Sequence, residues 1–187
     1  DYDDIKDDRS PTEIVQDHLP CAINIPLVSN LEREEVGTIY KQVNPFEARR
    51  RGAALVSYNI SEHLKDYFFD KKKDYSALIY CWRGGERSRS LATILESVGW
   101  RPSLLEGGYQ GYRKYVMQSF NDILENDLSF KIISGLTGTG KTKLLSHLES
   151  LGCQTIDLEG LASHRGSALG EENDNDQPSQ KMFERLL

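Results

Sequence analysis

Short apolar runs and helix-spaced apolar stripes alternate along the first two thirds of the chain. SALIY (76–80) is an apolar run between the charged lead-in KKKD (71–74) and a glycine-containing loop, and such a run predicts a buried strand. From Ser88 onward, Leu91, Ile94, Leu95 and Val98 recur at three- and four-residue spacing. That spacing predicts a helix, with Gly99 as its stop. RPSLLEGG (101–108) predicts a strand and a glycine turn, and GYRKYVMQSFNDILEN a long helix leading out of a first domain. Upstream, TEIVQDHLPCAINIP (12–26) predicts a short helix, a turn and a short extended run. Residues 31–65, rich in Glu, Arg and Lys with scattered apolar positions, predict helices.

A second unit starts near residue 127. SFKIIS (129–134) predicts a strand, GLTGTGKT (135–142) a glycine loop, and CQTID (153–157) another strand. Between them Leu144, Leu145, Leu148 and Leu151 share one helical face. The order strand, loop, helix, strand predicts a parallel α/β sheet. EENDND (171–176) is acidic and is expected to be a mobile loop. The expected division is a first domain over 1–120 and a second over 127–187. About 60 residues are few for a complete nucleotide-binding domain, so the second is expected to be truncated. The chain starts at Asp1 rather than Met, which fits a piece of a longer protein.

Composition narrows this picture rather than changing it. The 187 residues carry a formal net charge of -6, which offers no overall attraction to nucleic acid, although the arginines are locally clustered. Three cysteines, Cys21, Cys81 and Cys153, have neither pairing nor metal-ligand spacing. A disulfide scaffold and a zinc site are therefore not expected, and a reducing, cytoplasmic setting is. No apolar run reaches the length of a membrane span, and the acidic start DYDDIKDDRS has no apolar core of a signal peptide. No membrane partner is expected.

CWRGGERSRS (81–90) carries the first candidate chemistry. A strand ending in Cys, then a tight loop, then a helix, wraps backbone N–H groups round the thiol and makes a concave anion site. The positive end of the helix dipole and the charges of Arg83, Arg87 and Arg89 favour thiolate over thiol. Gly84 and Gly85 permit backbone angles that other residues resist. The candidate nucleophile is Cys81, and the candidate anion loop is Trp82, Arg83, Gly84, Gly85, Glu86, Arg87 and Ser88. The bland alternative is a buried cysteine acting as a small hydrophobe. Trp82 is expected to pack rather than stack on a substrate, His18 to brace a turn, and Cys21 to be an incidental thiol. RRR (49–51) and KKK (71–73) are expected to be solvated, and are the first domain's candidates for contacts to a nucleic-acid backbone.

These segments resemble the rhodanese family of sulfurtransferases. RSPTEIVQDHLPCAINIP (9–26) is similar to that family's first signature through Arg9, Glu13, His18, Pro20, Ala22 and Asn24, and LLEGGYQGY (104–112) to the segment after its active-site helix. Cys21 stands where the family usually has Gly, and DIKDDRSP puts Lys6 and Asp8 where it has an apolar strand. That strand is expected to be frayed or cut short. The five residues between Cys81 and Arg87 are also the spacing of cysteine phosphatases, with which rhodaneses share a fold. No acidic general acid is evident beside the loop, although Glu86 lies within it.

GLTGTGKT satisfies G-x-x-x-x-G-K-[ST] between a predicted strand and a predicted helix, the context in which that pattern is specific. Its backbone N–H groups would cradle phosphates. Gly135, Gly138, Gly140, Lys141 and Thr142 are the candidate phosphate-binding residues, with Thr142 as a Mg²⁺ ligand. Asp157 and Glu159 are candidates for Mg²⁺ or for a substrate hydroxyl; the bland alternative is turn residues at a strand end.

A rhodanese-like domain joined to a P-loop resembles the tRNA 2-selenouridine synthase family. DLEGLASHRGSALG (157–170), residues 32–60 and QPSQKMFERLL (177–187) are similar to it as well. The resemblance implies a transferase that replaces sulfur by selenium in wobble 2-thiouridine of tRNA. Selenophosphate and geranyl diphosphate would be co-substrates, with an S-geranyl intermediate and no tightly bound cofactor beyond possible Mg²⁺. Two other readings stay open: a sulfurtransferase or phosphatase with a regulatory nucleotide-binding domain, and a non-enzymatic tRNA- or nucleotide-binding protein with an idle cysteine.

Overall fold

The computed structural model describes residues 2–125, 129–136, 138–164 and 177–187. The expected acidic loop at 171–176, part of the segment 157–170, Thr137 of the glycine loop and the expected domain start at 127 lie outside these residues. The chain divides into two units, Asp1–Tyr115 and Val116–Leu187.

The first unit is built on four parallel strands: β1 (Asp4–Asp7), β2 (Ala22–Asn24), β3 (Ala77–Tyr80) and β4 (Ser103–Leu104), in the order β2-β1-β3-β4. Parallel neighbours need crossover connections, and helices supply them. They are α1 (Pro11–Gln16), α2 (Asn30–Gln42), α3 (Pro45–Asp66) and α4 (Glu86–Val98), followed by α5 (Gly108–Glu125). Local chemistry sets their ends. Ser29 accepts from the Glu32 N–H, and Asn44 from the Glu47 N–H with Pro45 at the first helical position. Helix α4 stops at Gly99, whose φ of 108° suits glycine.

Successive β3 residues face opposite sides of the sheet. Ala77 and Ile79 join the main core with Ile25, Leu27, Val56, Ile60, Phe68, Leu91 and Leu95. Tyr80 joins a smaller cluster with Leu19 and Tyr109. Strand β1 is not frayed. It is central, in register with Ala22–Asn24 on one side and with Ala77–Tyr80 on the other. Its charged residues are accommodated by partners. The fully buried Lys6 ammonium lies 3.2 Å from Asp4, contacts the Tyr67 hydroxyl and sits 3.8 Å from the Tyr67 ring centre. Burial pushes this ammonium down to about 8 even though Asp4 opposes the shift. Asp7 receives Arg9 and the Tyr80 hydroxyl, at 2.6 and 2.7 Å. A buried charge is tolerable only when paired in this way.

In the second unit, α6 (Lys141–Ser150) follows the glycine loop as expected, and α7 (Leu158–Leu161) and α8 (Gln180–Leu186) follow it. The expected strands over 129–134 and 153–157 are not strands. A strand exists as part of a ladder, and neither run has a ladder neighbour among the described residues. Phe130 and Ile132 accordingly remain 63% and 90% exposed.

Candidate active site

Cys81 follows the last residue of β3, at the carboxyl ends of the parallel strands, where open α/β sheets place their ligand sites. Its side chain is buried, 4% exposed. Residues 81–85 curl round it before α4 begins at Glu86. The Gly85 N–H donates to Cys81 Sγ at 3.0 Å, and the buried Ser88 hydroxyl donates to it at 3.3 Å. Burial alone would push the thiol up. The Ser88 hydroxyl and the N–H groups of Gly85, Arg83 and Ser88 outweigh that and hold it below its ordinary value. The thiolate is therefore stabilised chiefly by hydrogen bonds.

A second glycine segment holds the loop in shape. The Tyr109 N–H donates to the Cys81 carbonyl at 2.9 Å, and the Gln110 N–H to the Trp82 carbonyl at 3.0 Å. Gly108, at φ +56°, passes so close that a Cβ there would lie 2.4 Å from the Gly84 nitrogen and 2.5 Å from the Cys81 carbonyl oxygen. Gly84 itself adopts φ +66°. LLEGGY is thus the back wall of the cysteine loop, with glycine required where two backbones touch.

The loop's remaining residues divide. Arg83, Glu86 and Arg89 are exposed, while Trp82, Gly84, Gly85 and Arg87 are half-buried. Trp82 packs at 5.3 Å from Tyr109, which agrees with a packing role. Arg87 does not stand as a bare cation over the pocket. Its guanidinium faces two acids, Asp8 at 3.9 Å and Glu13 at 3.7 Å. The sequence marks Asp8 as a misfit in a strand and Glu13 as part of a signature but places neither at the cysteine loop, because both lie more than 70 positions before Arg87; the unusual polarity of DIKDDRSP was the available signal. His18 Nδ1 lies 3.1 Å from the Ile14 carbonyl, a turn brace. Cys21 is exposed and adopts φ +60°, the left-handed angle that explains why its place suits glycine. Arg50 and Arg51 pair with Glu47 and Glu35 on the surface. Lys71 reaches Asp4 at 3.0 Å and so is less solvated than Lys72 and Lys73.

The glycine loop forms a separate candidate site within the second unit. Gly138 and Gly140 both adopt φ +83°, turning the chain into the start of α6. Lys141 Nζ donates to the carbonyls of Gly135 and Leu136, at 3.1 and 3.2 Å, which holds the ammonium over the loop. Gly138, Gly140, Lys141, Thr142, Asp157 and Glu159 line one cleft of about 460 Å³, together with His164, which was not expected there. Gly135 is absent from that lining and serves as an acceptor for Lys141. Asp157 also caps α7 by accepting from the Gly160 N–H at 3.1 Å. A hydroxyl and two carboxylates are an all-oxygen donor set that suits Mg²⁺. Among the described residues no helix is long and apolar enough to cross a membrane.

Known proteins share both halves of this arrangement. A family model described as a rhodanese-like domain matches residues 1–115, and one described as the tRNA 2-selenouridine synthase AAA domain matches 128–187. A tRNA 2-selenouridine synthase of Shewanella denitrificans is 39% identical over 97% of this chain and 48% of its own length. One of Psychromonas ingrahamii is 36% identical over 96% of this chain and 47% of its own length. The chain thus spans about half the length of the curated relatives it matches. Among solved structures, the N-terminal domain of a Clostridium difficile 630 protein is similar at 41% identity and a TM-score of 0.53, over 60% of this chain and 88% of that domain.

Proposed function

Because this chain belongs to the tRNA 2-selenouridine synthase family, we propose that it contributes both chemical sites of a transferase that replaces sulfur by selenium in wobble 2-thiouridine of tRNA. The single observation that carries the reading is the Cys81 thiol, buried at the strand ends and receiving the Gly85 N–H and the Ser88 hydroxyl. This is how a protein holds a thiolate ready to react. Cys81 is the nucleophile, and Trp82, Arg83, Gly84, Gly85, Glu86, Arg87 and Ser88 form the loop that receives selenophosphate or a selenium-bearing adduct. Domains over 1–120 and 127–187 divide the work, the second being the first part of a longer P-loop domain. The setting is cytoplasmic.

In the second domain, Gly135, Gly138, Gly140, Lys141 and Thr142 grip the diphosphate of geranyl diphosphate. Thr142, Asp157 and Glu159 would hold Mg²⁺, which when bound offsets the charge of the departing diphosphate. The thiocarbonyl sulfur of the uridine attacks the prenyl carbon, the carbon–oxygen bond breaks and diphosphate leaves. Alkylated sulfur is a better leaving group, so the selenium of selenophosphate then attacks the same ring carbon, geranyl thiol leaves, and water takes the phosphoryl group from selenium as phosphate. His164 lines the same cleft as Lys141 and is a candidate partner for the diphosphate.

The test uses this sequence within a protein of the relatives' full length. Wild type, Cys81→Ser and Lys141→Ala each receive 2-thiouridine tRNA, selenophosphate and geranyl diphosphate, and digested nucleosides are weighed. Selenouridine is expected from wild type alone. Lys141→Ala is expected to lose geranylation yet to convert pre-geranylated tRNA, and Cys81→Ser to accumulate the geranylated nucleoside. Unchanged tRNA with wild type overturns the reading and favours a sulfurtransferase or phosphatase, testable with thiosulfate and a phosphate ester.

A further inference from the structure

The most unusual polar group near the cysteine loop is Asp8. It follows β1 directly and is fully buried. Its backbone is pinned between the neighbouring strand and the β2 side, the N–H donating to the Tyr80 carbonyl at 3.0 Å and the carbonyl accepting from Leu27 at 3.1 Å. Tyr80 immediately precedes Cys81, so Asp8 sits at the same end of the sheet as the thiol. Yet neither carboxyl oxygen has a hydrogen-bond partner. Arg87, at 3.9 Å, is beyond hydrogen-bonding distance and is shared with Glu13.

The donors therefore decide where charge resides. Cys81 Sγ receives the Gly85 N–H and the Ser88 hydroxyl, whereas Asp8 receives nothing. Two anions buried at the same end of the sheet repel, and the one without donors takes the proton. We propose that Asp8 is a further positioning residue of the Cys81 site, whose carboxyl keeps the proton while the thiol is ionised, so that the pair carries one negative charge and the pocket admits anions. Most of the groups facing Asp8 act in the same direction. Burial pushes its carboxyl well above the usual carboxylate range, Arg87 of α4 opposes this, and Cys81, Asp7 of β1 and Glu13 of α1 all push it further up. With Asp8 neutral, Arg87 and Arg33 face Glu13 alone. Loss of the Asp8 proton adds an uncompensated buried charge and repels an incoming anion. Asp8 thereby sets the upper pH limit for reaction of Cys81 with anionic substrates, an inference that rests on Cys81 being the nucleophile.

The test compares two alkylating agents on the full chain, neutral iodoacetamide and anionic iodoacetate, across pH. The Cys81 peptide is read by mass spectrometry, because Cys21 and Cys153 are also free thiols. In each case carbon–sulfur bond formation expels iodide and needs no other reagent. The iodoacetate-to-iodoacetamide rate ratio is expected to fall about three- to tenfold with rising pH in wild type, the effect of one added charge at short range, and to stay flat in Asp8→Asn and Asp8→Val. A flat wild-type ratio, or an equal fall in both variants, overturns the role of Asp8. Cys81 reacting only as an ordinary thiol with both agents overturns the nucleophile reading instead. Thermal unfolding supplies a readout independent of the thiol. A carboxyl with a raised value in the fold contributes stability that is full below its unfolded value of about 3.9 and is lost as pH rises through the folded value. Wild type is expected to show that loss and Asp8→Val to lack it; identical pH profiles would count against the proposal.

Discussion

The two glycine-rich loops of this chain look alike on paper and are built in opposite ways. The cysteine loop is enclosed: Gly84 packs against the backbone of Leu105, Gly107 and Gly108, and the thiol is buried. The phosphate loop is open at Gly138 and Gly140. Added Cβ atoms at Gly138 and Gly140 would meet nothing within 4 Å, and Lys141 is held by carbonyls only five and six residues away. The difference follows from the chemistry each is suited to. A buried thiolate needs its loop braced by a segment further along the chain, here residues 105–110, so that the Gly85 and Ser88 donors stay closed on the sulfur, whereas a phosphate cradle needs only local N–H groups at the start of a helix.

The sharpest way to break the comparison is to make the same substitution in both loops. Gly108→Ala places a methyl 2.4 Å from backbone nitrogen at a positive φ, and is expected to cost about 3 kcal/mol through clash and strain together. Gly138→Ala faces open space at φ +83° and is expected to cost about 1 kcal/mol from conformation alone. Chemical denaturation of both variants checks this; equal losses would mean that the cysteine loop has no rigid back wall. Next in size is ligand binding. Lys141→Ala removes a charged donor from an exposed loop and is expected to weaken diphosphate binding about 10- to 100-fold, with stability within about 0.5 kcal/mol of wild type. Titration calorimetry and thermal melts separate the two effects.

Ser88→Ala sharpens the other side. The Cys81 thiol is held below its ordinary value, so its reactivity is present above the folded value and lost as pH falls through it. Removing the Ser88 donor is expected to move that inflection upward in an iodoacetamide rate profile. An unmoved inflection would transfer the effect to the backbone donors alone. The smallest effect is at Cys21, a non-glycine residue at φ +60°. Cys21→Gly is expected to stabilise the first unit by about 0.5–1 kcal/mol, the left-handed strain less the entropy that glycine adds to the unfolded chain; a melt that stays put or drops would show that the side chain holds a contact worth as much.

Much of this was legible in the order of residues. The run SALIY and the stripe Leu91, Leu95 correspond to β3 and α4, because burial on one face imposes a period that any reader of the chain can see. Cys81, Ser88 and Gly85 were visible as a site because they are close in the chain, and so was the glycine loop, whose side-chain hydrogen bonds among the described residues join near neighbours. Three matters were not legible. The runs 129–134 and 153–157 carry strand-like composition, but pairing is a property of neighbours rather than of a segment. Lys6 reads as a misfit until Tyr67 and Asp4 are packed beside it. Asp8 and Glu13 reach the cysteine loop only because parallel pairing of β1 with β3 aligns the ends of strands more than 70 residues apart. Chain order thus sets the local conformations and the reactive groups themselves, since both depend on near neighbours. The charge that each group carries was settled by folding, because burial and the charges of distant residues act on it only once the sheet has formed.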